Sequence, residues 1–153
     1  MSAPVTLDSV NQLLACRTLA LAGASRSGKK FGDVIFRALL ANGYKVVPVH
    51  PAAAALEGTS CVRSLSELPA PVDGLVIVVP HVQTELLVRE ACRAGISRIW
   101  MQQGSESADA VAYCERERMT LVHGHCLVMF LAQSSAFHRF HRRILGMLGK
   151  LPR

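Results

Sequence analysis

The sequence predicts a single α/β domain in which helices cover both faces of a parallel sheet of about five strands. Short apolar runs of strand length alternate with segments of helical apolar spacing at least four times, which is the pattern of a doubly wound, three-layer sheet. One run, residues 75–79, is apolar at every position, as expected of a central strand covered on both faces. At 153 residues, the chain has the length of one domain.

Each element follows from a local pattern. Strands are predicted at residues 18–22, 45–49, 75–79, 98–101 and 120–123. Helices are predicted from an N-cap at Thr6 to Leu14, from Asp33 to a C-cap at Gly43, at 82–94, and from an N-cap at Ser105 to Arg118, with a short helical turn at 64–68. Because proline has no N–H, Pro48 predicts an irregular or bulged second strand. The order of elements therefore predicts a Rossmann-like architecture.

We take the residues that directly follow the strands as candidate site residues, because ligands of open parallel sheets bind outside the carboxyl ends of the strands. These positions are residues 23–30, His50, Pro51, Pro80, His81 and residues 102–104.

The loop after the first strand has the composition of a phosphate-binding loop. Gly23, Ser25 and Gly28 give a spacing close to the G-x-G-x-x-G fingerprint, between a predicted strand and a predicted helix. Three cations follow in the same loop, namely Arg26, Lys29 and Lys30. The alternative is a glycine turn that only connects the strand to the helix.

The end of the second strand distinguishes among nucleotide ligands. A fold that binds NAD usually has a carboxylate there to hold the ribose hydroxyls, whereas this chain has Val49, His50 and Pro51. This difference argues against NAD and leaves NADP or coenzyme A (CoA), both of which carry a phosphate on the adenosine ribose.

The same stretches resemble a known family, the small stand-alone CoA-binding domain proteins, over residues 18–126. The most specific parts are the Gly-Tyr-x-Val-x-Pro-Val-x-Pro stretch at residues 43–51 and the Trp-Met-Gln-x-Gly stretch at residues 100–104. The fold of this family is similar to the N-terminal CoA-binding domain of the succinyl-CoA synthetase alpha subunit. The resemblance implies binding of CoA or an acyl-CoA. It carries over no catalysis, since the phosphohistidine domain of the synthetase has no counterpart here.

By this resemblance, residues 23–26 face the pyrophosphate, His50 and Pro51 border the adenosine, and residues 79–81 line the ligand cleft. The residues expected to bind the cofactor are Gly23, Ala24, Ser25, Arg26, Lys30, Val49, His50, Pro51, Val79, Pro80, His81 and Gln102. The chain departs from the family at two positions. The family often has Asn at the position of His50, and it has a basic residue at the position of Ala52, where a cation would hold the ribose 3′-phosphate.

The remaining features predict a cytoplasmic protein with a basic tail. The five cysteines form no C-x-x-C motif and are expected to be reduced thiols, and His123, His125 and Cys126 lack the converging partners that a metal site needs. No span or signal peptide is indicated. The net charge of +6 comes from residues 118–153, which contain six Lys/Arg and no acid.

Two units are predicted on this basis, a CoA-binding domain at residues 1–130 and a basic helix or tail at residues 131–153. The tail is expected to pack on the domain or on a partner, rather than to bind nucleic acid or membrane. A homodimer is therefore also expected to be possible through the tail.

The sequence thus favours a CoA-binding protein without evident catalysis of its own. Two alternatives stay open: an NADP-dependent oxidoreductase-type dinucleotide-binding protein, and an interaction protein with a vestigial nucleotide site.

Overall fold

The computed structural model of the chain describes residues 3–131. Its strands are β1 (Thr18–Ala22), β2 (Lys45–Val49), β3 (Ala55–Leu56), β4 (Thr59–Ser60), β5 (Gly74–Ile77), β6 (Arg98–Gln102) and β7 (Thr120–His125). Its helices are α1 (Leu7–Leu14), α2 (Phe31–Ala41), α3 (Thr84–Arg93) and α4 (Ala108–Arg116), with single 3₁₀ turns at Leu65–Glu67, His81–Gln83 and Leu127–Met129.

Five strands form one parallel sheet in the order β2-β1-β5-β6-β7, and β3 and β4 form a separate antiparallel hairpin. The predicted Rossmann-like α/β fold of about five strands is therefore confirmed. The chain runs from β1 outward to β2 and then returns to the other side of β1 with β5. The strand order thus reverses between β1 and β5, and this switch point is where ligands of such sheets bind.

Alternating side chains of the strands bury the two faces of the sheet in separate cores. On one face, Leu19 and Leu21 of β1 pack with residues of α1 and α2. On the other face, Ala20 and Ala22 pack with residues of α3 and α4. This alternation follows from the period-2 geometry of a strand and gives the three-layer arrangement.

Pro48 does not interrupt the second strand, contrary to the irregularity predicted from the sequence. The pairing of β2 with β1 is continuous through Pro48, which lies opposite Leu21. The Pro48 carbonyl accepts a hydrogen bond from Val62 N–H on the outer side of β2. Because the N and C=O of one strand residue point to the same side, the missing N–H of Pro48 costs no bond to β1.

The N-cap predicted at Ser105 was wrong. Helix α4 begins at Ala108, and the Ser107 hydroxyl accepts from the Ala110 N–H at 3.2 Å. Ser105 is buried, and its carbonyl accepts the Thr84 hydroxyl of α3 at 2.5 Å. Ser105 belongs to the turn after β6, where its N–H donates to the Gln102 carbonyl at 2.8 Å, and the helix begins only after this turn.

Apart from Leu131, the predicted tail at residues 131–153 lies outside the described residues. None of the helices within residues 3–131 has the length and apolar character needed to cross a membrane.

Candidate functional site

A cleft of about 810 Å³ lies at the carboxyl ends of β1, β2 and β5. It brings together most of the predicted site residues, namely Gly23, Ala24, Ser25, Lys30, Val49, His50, Pro51, Val79 and Pro80. A second cleft, of about 690 Å³, lies between residues 64–72 and the end of α3 and contains none of the predicted residues. The first cleft is therefore the candidate site.

Three predicted residues lie outside the lining of this cleft. Arg26 and His81 are exposed beside it, on the glycine loop and on the turn after β5. Gln102 is only 3% exposed, and its Oε1 accepts a hydrogen bond from Leu127 N–H at 3.0 Å. The contact indicates a structural role for Gln102, since it anchors the turn that follows β7.

The glycine loop is closed internally by Asp33, which was predicted from the sequence only as a helix start. Its Oδ1 accepts from the Ser25 N–H at 2.6 Å, and its Oδ2 accepts from the Ser25 hydroxyl at 2.6 Å and the Lys30 N–H at 3.0 Å. Asp33 is the third residue of α2, where an acid commonly reaches back to a free N–H. That position was the signal that could have identified it.

Two effects oppose each other at the Asp33 carboxyl. Its burial, which leaves it 2% exposed, disfavours the charged form, but the hydrogen bonds from Ser25 and Lys30 outweigh that effect, with help from the charge of Arg37. The pKa of Asp33 is therefore held below its ordinary value. The loop thus encloses a fixed negative charge, against which Ser25 and the Lys30 backbone are held.

The glycine loop also has backbone donors without an acceptor in the described chain. The N–H groups of Arg26 and Ser27 donate no hydrogen bond to any residue within 3–131. Helix α2 begins directly behind them and adds the partial positive charge of its N-terminus. Lys30 contributes a cation to the cleft wall. Backbone donors and cations in this arrangement can hold a phosphate or a pyrophosphate.

Two glycines allow the loop to pass close to its neighbours. Gly23 has φ +123°, and a Cβ on it would overlap the carbonyl of Val78. A Cβ on Gly32 would overlap the carbonyl of Gly23 in turn. The first turn of α2, the end of β1 and the residue after β5 are thus in direct backbone contact, which is the close approach that the fingerprint glycines provide.

The hairpin of β3 and β4 supports the loop from outside. Its turn consists of Glu57 at φ +46° and Gly58 at φ +80°, the positive φ pair of a tight two-residue turn. The carboxylate of Glu57 pairs with Arg37 at 2.5 Å, and the Arg37 guanidinium also donates to the Gly28 carbonyl at 2.9 Å. This hairpin was not predicted from the sequence, since each of its strands has only two residues.

At the end of β2, this chain has His50 at the position where the family that it resembles often has Asn. Its Nδ1 accepts hydrogen bonds from the N–H groups of Ala52 and Ala53 at 3.0 and 2.9 Å. Asn and Asp side chains commonly cap such turns through an oxygen in the same position. The imidazole nitrogen therefore performs the local function of an asparagine oxygen.

The cleft contains further residues that the sequence did not reveal. Val82 and Leu86 line it with apolar side chains that are 77% and 61% exposed. Arg63 supplies a second cation to the lining. The other lining residues that had not been predicted are Ala22, Ser64, Val78, Gln83, Leu87 and Glu90. The cleft lining thus combines the cations Lys30 and Arg63 and the carboxylate Glu90 with an apolar side formed by Val82, Leu86 and Leu87.

The histidines near the end of β7 are partly buried. The His125 ring packs edge-on against Phe130 at 6.2 Å. Burial, together with the nearby charge of His123, lowers the pKa of His125. Within residues 3–131, no group of three or more His, Cys, Asp or Glu side chains is arranged to hold a metal ion.

Comparison with known proteins places this chain among proteins of similar fold. A conserved hypothetical protein from Pyrococcus furiosus is 38% identical with a TM-score of 0.69, covering 72% of this chain and 96% of that one. The dinucleotide-forming acetyl-coenzyme A synthetase 1 of Ca. Korarchaeum cryptofilum is 26% identical with a TM-score of 0.57, covering 84% of this chain and 26% of that one.

Acetate–CoA ligase (ADP-forming) II of Archaeoglobus fulgidus is 29% identical over 129 residues, which make up 82% of this chain. This chain spans only 19% of the length of that ligase. Protein YneT of Bacillus subtilis is 22% identical, and there the match covers 83% of this chain and 94% of the relative. A family described as the CoA binding domain matches residues 17–132, a span that begins just before β1 and takes in the whole sheet and the cleft. The chain therefore belongs to the CoA binding domain family.

Proposed function

We propose that this protein binds coenzyme A or an acyl-CoA in the cleft at the carboxyl ends of β1, β2 and β5, as a binding module without a reaction of its own. The observation that carries the proposal is that a single cleft joins the glycine loop, the end of β2 and the end of β5 in a member of the CoA binding domain family. The loop supplies N–H donors for a pyrophosphate, and the apolar side suits the less polar arm of the ligand.

Two relatives support the choice of ligand. The A. fulgidus ligase and the Ca. Korarchaeum cryptofilum synthetase carry CoA in their names. This chain covers only 19% and 26% of their lengths, so their similarity supports CoA binding and not their reactions. We infer that the shared part is the part that holds the cofactor.

Thermal unfolding of the full chain with CoA, acetyl-CoA, NADP, NAD and ATP tests the proposal. A ligand at 100 times its Kd stabilises the folded state by about 2.7 kcal/mol. For a domain of this size, we expect a Tm increase of roughly 5–10 °C. CoA or acetyl-CoA should raise the Tm, and NAD should leave it unchanged. An increase with NAD and none with CoA would contradict the proposal.

The two alternatives give different results in the same experiment. An NADP-dependent protein would be stabilised most by NADP, whereas an interaction protein with a vestigial site would be stabilised by none of the five compounds. Mass spectrometry of small molecules that co-purify with the protein provides an independent measurement. Recovery of CoA or an acyl-CoA is the expected result.

A further inference from the structure

The end of β2 lacks the charged side chain that folds of this kind usually have at this position. In parallel sheets of this kind, the residues after the second strand contact the adenosine ribose: a carboxylate there accepts hydrogen bonds from free hydroxyls, and a nearby arginine donates hydrogen bonds to a ribose phosphate. In this chain, His50, Pro51 and Ala52 provide neither group. The His50 Nδ1 is in addition already used as an acceptor within its own turn.

A second segment of the chain returns to the same place. Val62 forms a parallel bridge with Val49, in which the Val62 N–H donates to the Pro48 carbonyl at 3.0 Å and the His50 N–H donates to the Val62 carbonyl at 2.9 Å. Paired strands lie about 4.8 Å apart. Arg63 therefore follows Val62 alongside His50, as a neighbour of the position that lacks the cation.

The side chain of Arg63 is available to a ligand. It is exposed and lines the cleft together with His50 and Pro51. Its guanidinium has no ion pair with any residue described between positions 3 and 131. The nearby carboxylate of Glu67 accepts the Arg63 backbone N–H at 3.3 Å and not the guanidinium.

We propose that Arg63 binds the phosphate on the adenosine ribose and makes the cleft selective for CoA over its form without the 3′-phosphate. This inference rests on the proposed function, since it assigns one group of the CoA molecule to one side chain. A guanidinium suits the role because its planar donors bind a phosphate by two parallel hydrogen bonds. Arg63 thus takes the place of the basic residue that the chain lacks at Ala52.

The test is isothermal titration of the wild-type chain, Arg63→Gln and Arg93→Gln with CoA and with dephospho-CoA. We expect wild type to bind CoA at least about tenfold more tightly than dephospho-CoA, since hydrogen bonds between two charged groups are among the strong ones. Arg63→Gln should lose that preference and bind dephospho-CoA as wild type does. Arg93→Gln, which removes an exposed arginine outside the cleft, should leave both affinities unchanged.

The dephospho-CoA titration also shows whether the Arg63→Gln variant is folded and has an intact cleft. Equal binding of CoA and dephospho-CoA by wild type would overturn the role of Arg63 and leave CoA binding in place. The role of Arg63 is likewise overturned if Arg63→Gln weakens the binding of both ligands equally. Failure of wild type to bind either compound in this titration, or greater stabilisation by NADP than by CoA in thermal unfolding, would overturn the proposed function together with this inference.

Discussion

The carboxylate of Asp33 holds Ser25 by two hydrogen bonds, one from the backbone N–H and one from the hydroxyl, each 2.6 Å long. A third bond from the Lys30 N–H joins the far end of the loop to the same carboxylate. The loop is therefore shaped before a ligand arrives. A loop that is already ordered does not lose further conformational entropy on binding, and this favours affinity.

Replacing Asp33 with asparagine should weaken both the fold and the site. In either orientation, the amide NH₂ would face the Ser25 or the Lys30 backbone N–H, so one partly buried donor would lose its acceptor. We expect a loss of about 1–3 kcal/mol in the free energy of unfolding, measured by urea denaturation, and weaker CoA binding by titration. Asp109→Asn, at an exposed position in the first turn of α4, is the control and should cost less than about 1 kcal/mol.

The contribution of Asp33 should also depend on pH in a defined direction. Because the folded-state pKa is lowered, this contribution to stability is complete above the unfolded-state pKa of about 3.9 and is lost as the pH falls through the folded-state value. The pKa of Asp73 is lowered too, through the N–H groups of Thr18 and Arg17, but that carboxyl is present in both proteins. The difference in unfolding free energy between wild type and Asp33→Asn should therefore shrink below about pH 4. A difference that stays constant into this acidic range would contradict the assignment.

Gly23→Ala should be far more destabilising than an alanine at another glycine with positive φ. Gly43 has φ +85° and open space around its Cβ position, so Gly43→Ala should cost about 1–2 kcal/mol for the left-handed conformation alone. At Gly23, the new methyl group would overlap the Val78 carbonyl, and a backbone atom cannot rotate away. We expect a loss above about 3 kcal/mol in the free energy of unfolding. Equal losses for the two variants in urea denaturation would show that the backbones can separate.

The sequence was informative where local patterns decide the structure and failed where distant segments meet. The strand Thr18–Ala22 and the Thr6 cap of α1 were predicted as found, because each depends on neighbours in the chain. The cleft was found through the rule that ligands bind beyond the strand ends. Arg63 could not be found in this way, since it reaches the cleft only through the pairing of Val62 with Val49. Ser107 was missed as a cap because Ser105 and Ser107 both precede the helix, and the sequence does not show that Ser105 belongs to the turn after β6.

His50→Asn should keep the turn at the end of β2, whereas His50→Ala should not. The asparagine oxygen would stand one bond beyond Cγ, as Nδ1 does, and can accept the Ala52 and Ala53 N–H groups that now donate to the imidazole. Alanine has no acceptor. We expect His50→Ala to lose about 0.5–1.5 kcal/mol of stability per bond and to bind CoA more weakly, with His50→Asn close to wild type in both thermal unfolding and titration. If His50→Asn binds CoA as weakly as His50→Ala does, the result would instead indicate that the imidazole contacts the ligand.

Leu86→Gln should weaken CoA binding on the apolar side of the cleft and leave the stability of the fold nearly unchanged. The Leu86 side chain is 61% exposed on α3 and lines the cleft. Leu40 on α2 is 41% exposed and lies outside the cleft, so Leu40→Gln is a matched control of the same residue type in a helix.

Glutamine and leucine have similar helix propensities. The stability of the two variants should therefore stay within about 1 kcal/mol of wild type. A CoA ligand that covers the Leu86 side chain removes apolar surface from water, at about 25 cal/mol per Å². Loss of even 60 Å² of such contact, a round figure for part of one side chain, is about 1.5 kcal/mol or roughly tenfold in Kd. Titration should show this loss for Leu86→Gln and none for Leu40→Gln. An unchanged CoA affinity in folded Leu86→Gln would mean that the ligand does not cover this side chain.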